Sequence, residues 1–140
     1  MPASDSLPAV DGLTSIQSNF GSKETMDRLE TEIRANGMHV FARIDHAAGA
    51  AEVGLPLAPT DVIIFGNARG GTPLMQSVQT VGIDLPLKIL VWRDAVNNTW
   101  LSYNETSWIA QRHGVAGRES TVDKMSDLVR AIAREAAGGR

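Results

Sequence analysis

The sequence predicts a single α+β domain: a mainly antiparallel sheet with helices packed on one face. Three observations lead there. A length of 140 residues suits one domain. Helical and extended patterns alternate in the order β-α-β-(α)-β-α-β-β-α-α. Two extended runs flank Asp94-Ala95-Val96-Asn97-Asn98, and a hairpin there argues against an all-parallel, doubly wound sheet.

The elements follow in chain order. Residues 1–12, with two prolines and several small polar residues, read as a flexible lead-in to a domain spanning 13–140. Leu13 to Ser18 alternates loosely and is expected to form the first strand. Ser22 is expected to cap a helix with Glu24 in its first turn, where the dipole favours negative charge. Met26, Leu29 and Ile33 form its apolar stripe, and Gly37 supplies the left-handed stop after Asn36. His39 to Ile44 then reads as a strand ending at Asp45, and the alanine-rich His46 to Val53 as a brief helix.

After Pro56 and Pro59, the run Asp61-Val62-Ile63-Ile64-Phe65 reads as a strand in the sheet centre. Gly66 to Gly71 is expected to be a loop, with Thr72 and Pro73 opening the next helix. Leu87 to Trp92 and Thr99 to Tyr103 are the hairpin arms, followed by a short helix ended by His113-Gly114. Ser120 is expected to cap the last helix, with Asp123 as a rough capping-box partner. Val122, Met125, Leu128, Val129 and Ile132 form its stripe, and Gly138 and Gly139 are expected to let its end fray.

Composition excludes several chemistries. With no cysteine, disulfides, thiolate nucleophiles, iron–sulfur clusters and thiolate zinc sites are impossible. This fits a reducing cytoplasm, the expected location. A net charge of −3 supplies no electrostatic reason to bind nucleic acid or an anionic membrane, and neither partner is expected. No apolar run approaches the roughly 18 residues of a membrane span, and the first residues lack the pattern of a signal peptide.

The motifs are incomplete. Gly66-x-x-x-Gly70-Gly71-Thr72 sits between a strand and a helix, where phosphate loops sit, but Pro73 stands where a Walker loop continues and no lysine is present. A turn-and-cap role is the plainer reading. His39, His46 and His113 show no local metal-ligand spacing, and no metal or cofactor is expected. His113, at a helix end, has an ordinary explanation in the helix dipole. Asp84 lies between Ile83 and Leu85; such a carboxylate is a candidate for a raised pKa, against the plainer reading of a turn acceptor before Pro86. Trp92 and Trp100 fall on opposite hairpin arms, where cross-strand packing accounts for them.

Between His46 and His113 the chain resembles domain-of-unknown-function family 302. The matching residues include His46-Ala47-Ala48-Gly49-Ala50, Ile64-Phe65-Gly66-Asn67, Gly71-Thr72-Pro73-Leu74-Met75, Gly82-Ile83-Asp84-Leu85-Pro86-Leu87-Lys88, Trp100-Leu101-Ser102-Tyr103-Asn104 and Arg112-His113-Gly114. Many short motifs in the right order make the match specific, over about residues 15–135. The chain departs from the pattern at Ala68, where relatives often carry proline after the asparagine. The resemblance implies an α+β fold with an antiparallel-type sheet and a homodimer; it implies no activity.

The leading expectation is a small ligand-binding or accessory module whose polar cluster draws on His46, Asn67, Thr72, Asp84 and His113, all at loop or element ends. The alternative is an enzyme acting on a small metabolite with His46 or His113 and Asp84 as an acid–base pair. A third reading is a two-histidine, one-carboxylate metal site. Each requires these side chains to meet in space.

Overall fold

The computed structural model describes residue 7 and residues 9–139. Its sheet comprises β1 (Leu13–Gln17), β2 (His39–Asp45), β3 (Thr60–Gly66), β4 (Leu87–Arg93) and β5 (Thr99–Asn104). The spatial order is β1-β5-β4-β3-β2, and every neighbouring pair is antiparallel. Around it lie α1 (Ser22–Ala35), α2 (His46–Glu52), α3 (Ala68–Ser77), α4 (Thr106–His113), α5 (Glu119–Ala137) and a 3₁₀ helix over Gln79–Asp84.

Strand periodicity decides which face the helices cover. Ile63 pairs with Ile89, Phe65 with Leu87, and Val91 with Leu101; all six are buried on one side of the sheet. Against them pack Met26, Leu29 and Ile33 of α1, Leu74 of α3, Ile109 of α4, and Val122, Met125, Val129 and Ile132 of α5. The helix stripes expected from the 3.6-residue period therefore meet the sheet, Leu128 included as a partly buried neighbour. Arg28 of α1 ties the layer together by donating to the carbonyls of Ala136 and Glu135 at the end of α5.

The other face carries half-buried Val62, Ile64, Leu90 and Trp92, with Leu13 and Ile44 exposed. Trp92 lies directly opposite Trp100, stacked with ring centroids 6.3 Å apart, as cross-strand packing requires. Each indole finds an acceptor: Trp92 Nε1 donates to Ser102 Oγ and Trp100 Nε1 to Asp94 Oδ2. Asp94 also accepts from the backbone of Val96 and Asn98, which closes the hairpin turn.

Several expectations change. The expected lead-in lies largely outside the described residues, but Gly12 is fixed: its carbonyl accepts from the Glu105 backbone. Gly21 and Arg118, not Ser22 and Ser120, hold the cap positions of α1 and α5, and neither helix has a side-chain cap there. Those helices rest on buried stripes, and a missing cap costs only about 1 kcal/mol. Gly138 closes α5 in the left-handed conformation, its N–H bonded to the Glu135 carbonyl.

The largest difference lies at α3. The expected loop over 66–71 is mostly helix, because the Asn67 side chain caps the helix by accepting from Gly70 N at 2.8 Å. Pro73 thus sits inside the helix; its missing N–H removes the hydrogen bond that the Arg69 carbonyl would otherwise accept within the helix. Ala68 is the first helical residue, a position that also suits proline.

Candidate functional site

At the Gly66 end of β3 the sheet, α3, the 3₁₀ helix and α5 enclose a cleft of about 290 Å³. Its floor is Leu87 at the start of β4, one wall is α3, and the opposite wall is Gly82, Leu85 and Pro86. Met125 and Leu128 of α5 close the back, and Met38 and Phe41 form the rim. Phe41 reaches the rim from an irregularity in β2, where the pairing register shifts between Val40 and Ala42.

Glycine makes the narrow part of the cleft possible. A Cβ at Gly82 would lie 3.3 Å from Met75 Sδ, so a larger residue there would crowd the Met75 side chain and shift it by a few tenths of an ångström. Gly70 and Gly71 leave the facing side of α3 bare, which widens the space before Leu85 and Met125. No charged side chain lines the cleft. Its side-chain polarity is supplied by Asn67 and Thr72, both exposed at the α3 edge. The carbonyl oxygen of Asn67 is committed to the helix cap, whereas its amide nitrogen and the Thr72 hydroxyl bond no other described residue.

Asp84 and His113 do meet, but behind the cleft wall and not inside it. His113 Nε2 lies 2.6 Å from Asp84 Oδ2, and Arg112 Nη1 lies 2.9 and 2.8 Å from the two carboxylate oxygens. The other ring nitrogen of His113, Nδ1, is 3.0 Å from Thr80 Oγ1. With Asp84 ionised, the pairing assigns the proton of a neutral ring to Nε2, and Nδ1 accepts from the threonine. The group fastens both ends of the 3₁₀ helix to the end of α4. Buried Val81 anchors its middle, and Ser77 ties the end of α3 to Ala116.

This geometry corrects the electrostatic expectation for Asp84. Burial does push its pKa up, but the His113 hydrogen bond and the Arg112 charge outweigh that, and the net shift is below the ordinary 3.8. Asp84 is an ionised anchor, neither a neutral acid nor a backbone turn acceptor.

His46 does not join the group. It is exposed at the first position of α2, just after Asp45, which pairs with Asp61 at the start of β3. Asp84 precedes Leu87, which pairs with Phe65 at the other end of β3. The five-residue cluster expected from the sequence therefore divides: Asn67 and Thr72 line the cleft, Asp84 and His113 brace its wall, and His46 stands at the far end of the sheet. The two-histidine metal arrangement has no geometric basis, and no group of three or more His, Asp or Glu among the described residues is placed to hold a metal ion.

A family model described as "Domain of unknown function DUF302" matches residues 14–132. The chain belongs to the DUF302 family. A crystal structure of an uncharacterised conserved DUF302 protein from Bacillus stearothermophilus superimposes with a TM-score of 0.81 at 16% identity, covering 91% of this chain and 99% of that one. At that identity the likeness shows the shared DUF302 fold.

Two Brucella proteins named Fluoride-specific ion channel FluC 1, from B. suis biovar 1 (strain 1330) and B. abortus biovar 1 (strain 9-941), are each 46% identical over 104 residues. The matched region is 74% of this chain but only 41% and 38% of theirs. The chain thus spans about two-fifths of the length of these relatives. Among its own described residues no helix is long and apolar enough to cross a membrane.

The residues that sequence reasoning missed are those lining the cleft: Met38, Phe41, Met75, Leu85, Pro86, Met125 and Leu128. Helical periodicity assigns Met125 and Leu128 to the buried stripe of the last helix and says nothing of a cleft. The available signal was the concentration of glycines over 66–71 and at 82, since bare backbone on facing elements leaves room between them.

Proposed function

We propose that this DUF302 domain is a small-ligand-binding accessory module, with its binding site in the cleft between α3 and the 3₁₀ helix. The observation that carries the reading is a preformed apolar recess with two uncommitted polar groups at one edge. That is the usual construction of a small-molecule site, and about 290 Å³ is close to the lower end of the size range, roughly 300–1,000 Å³. The Asp84–His113 brace supports it by holding the wall in place.

The accessory part of the proposal draws on the Brucella relatives. Proteins named as fluoride channels carry a region like this one within a longer chain, which suits a domain that reports a ligand to a larger assembly. The acid–base reading is weaker, because Asp84 and His113 pair behind the cleft wall and neither lines the cleft where a small molecule would sit. The cysteine-free sequence supports a cytoplasmic location. The apolar sheet face bearing Leu13, Ile44, Val62, Ile64 and Leu90 supports a homodimer, a state that light scattering of the purified protein measures directly.

The binding reading is tested by incubating the protein with a bacterial small-molecule extract and identifying retained compounds by native mass spectrometry. A compound held by the wild type and lost from Gly71→Leu, which fills the cleft, is the expected result. Retention unchanged in that variant, or no retention by either protein, contradicts it.

A further inference from the structure

The chemistry of the cleft lining goes further than its existence. Resting on the reading of the cleft as a binding site, we infer that its ligand is an uncharged aromatic molecule of about two fused rings with one hydrogen-bonding head group. Charge is the first discriminator. No Asp, Glu, Lys, Arg or His lines the recess, so a carboxylate, phosphate or ammonium ligand would lose its hydration and meet no counter-charge. Sugars and other polyols fare no better. They need many donors and acceptors, and Asn67 and Thr72 are the polar side chains available.

Size and surface give the rest. An apolar cavity of about 150 Å³ takes a benzene ring, and this one measures about 290 Å³, enough for two fused rings. Met38 from the connection before β2, Met75 from α3 and Met125 from α5 all line the cleft, which places thioethers on several sides of the space. Polarizable sulfur favours contact with aromatic rings over saturated ones, and flexible methionines close around flat shapes. Bare backbone at Gly70 and Gly71 lets such a ring lie along α3. The head group then sits beside the Thr72 hydroxyl and the Asn67 amide, at the open edge.

Titration calorimetry with three probes of one skeleton tests this: 2-naphthol, decahydro-2-naphthol and 2-naphthoate. The neutral aromatic alcohol is expected to bind tightest, with the saturated alcohol several-fold weaker and the carboxylate at least about tenfold weaker. Thr72→Val should weaken 2-naphthol by roughly three- to tenfold, and Gly71→Leu should abolish its binding. Thr72→Trp, at an exposed position, blocks the same space should Gly71→Leu not fold.

If the carboxylate binds as well as 2-naphthol or better, and is lost from the blocked variants, the inferred class is wrong while the cleft stands as a binding site. Equal binding of the saturated alcohol overturns the aromatic assignment alone. Should no probe bind the wild type, the ligand class is refuted; if the extract experiment also retains nothing, the cleft reading falls with it.

Discussion

Replacing Asp84 by alanine removes the centre of the brace, and its cost can be worked from exposure. Two partners are lost, and they are unequal. The Arg112 side chain is 51% exposed, so that ion pair is screened by water and contributes only about 0–1 kcal/mol. His113 is 10% exposed, and without its acceptor the Nε2–H is left with little water to replace it, at about 1–3 kcal/mol. Together the loss is about 1–4 kcal/mol. For a domain of this size that lowers Tm by roughly 3–16 °C, as calorimetry or circular dichroism would record. Arg112→Ala should cost much less than His113→Ala, because burial and not formal charge decides the ranking. A double-mutant cycle between positions 84 and 113 should show positive coupling. An Asp84→Ala protein with an unchanged Tm would refute the brace, and an Arg112→Ala cost above that of His113→Ala would refute the reasoning from burial.

Other consequences follow from the same structure. Because the folded-state pKa of Asp84 is depressed, its contribution is fully present above about pH 3.8 and is lost as the pH falls through the lower folded value. Wild type and Asp84→Asn should therefore converge in stability below pH 3.8, and a constant gap across that window would contradict the assignment. Asp61 behaves oppositely: burial, then the charge of Asp45, raises its pKa, so its ionised form is disfavoured in the fold at neutral pH. Asp61→Asn should raise Tm at pH 7, with the gain shrinking as acid protonates the wild-type carboxyl. Gly71→Ala places a Cβ 3.5 Å from Leu85 Cδ1, an ordinary contact, so the helix should gain about 0.5–1 kcal/mol in chemical denaturation. Gly12→Ala should do the reverse and cost about 2–5 kcal/mol by the same measurement, because φ is +75° and the new Cβ falls 2.2 Å from the Trp108 ring.

Legibility in the sequence followed the range of the forces involved. Met26, Leu29 and Ile33 betray α1 because helix periodicity is local, and Asp94 to Asn98 betrays the hairpin because its arms adjoin. The antiparallel sheet and helix-covered face follow from those patterns. The start of α3 escaped because Asn67 looks like a loop residue until its side chain is seen capping Gly70, and two glycines argued against helix. The brace was half legible. Asp84 and His113 were both singled out, but their pairing spans 29 residues and nothing local fixes it. It also reverses the pKa direction expected from the apolar neighbours of Asp84. His46 resembled a site residue for the same local reasons, and sheet order alone removes it. The cleft was least legible, since its lining comes from β2, α3, the 3₁₀ helix, β4 and α5, and apolar residues that line a site look like core until the packing is known.

The methionines offer the most direct test of a ligand cleft. The chain has five, of which Met38, Met75 and Met125 line the cleft while Met26, on the core face of α1, is fully buried. Labelling their methyl groups with carbon-13 and titrating 2-naphthol yields one spectrum with its own internal control. Saturable shifts at Met38, Met75 and Met125 with Met26 unmoved are the predicted result. Shifts confined to Met26 or spread equally over all sites would contradict a binding cleft between α3 and the 3₁₀ helix, and shifts absent throughout would refute the inferred ligand class.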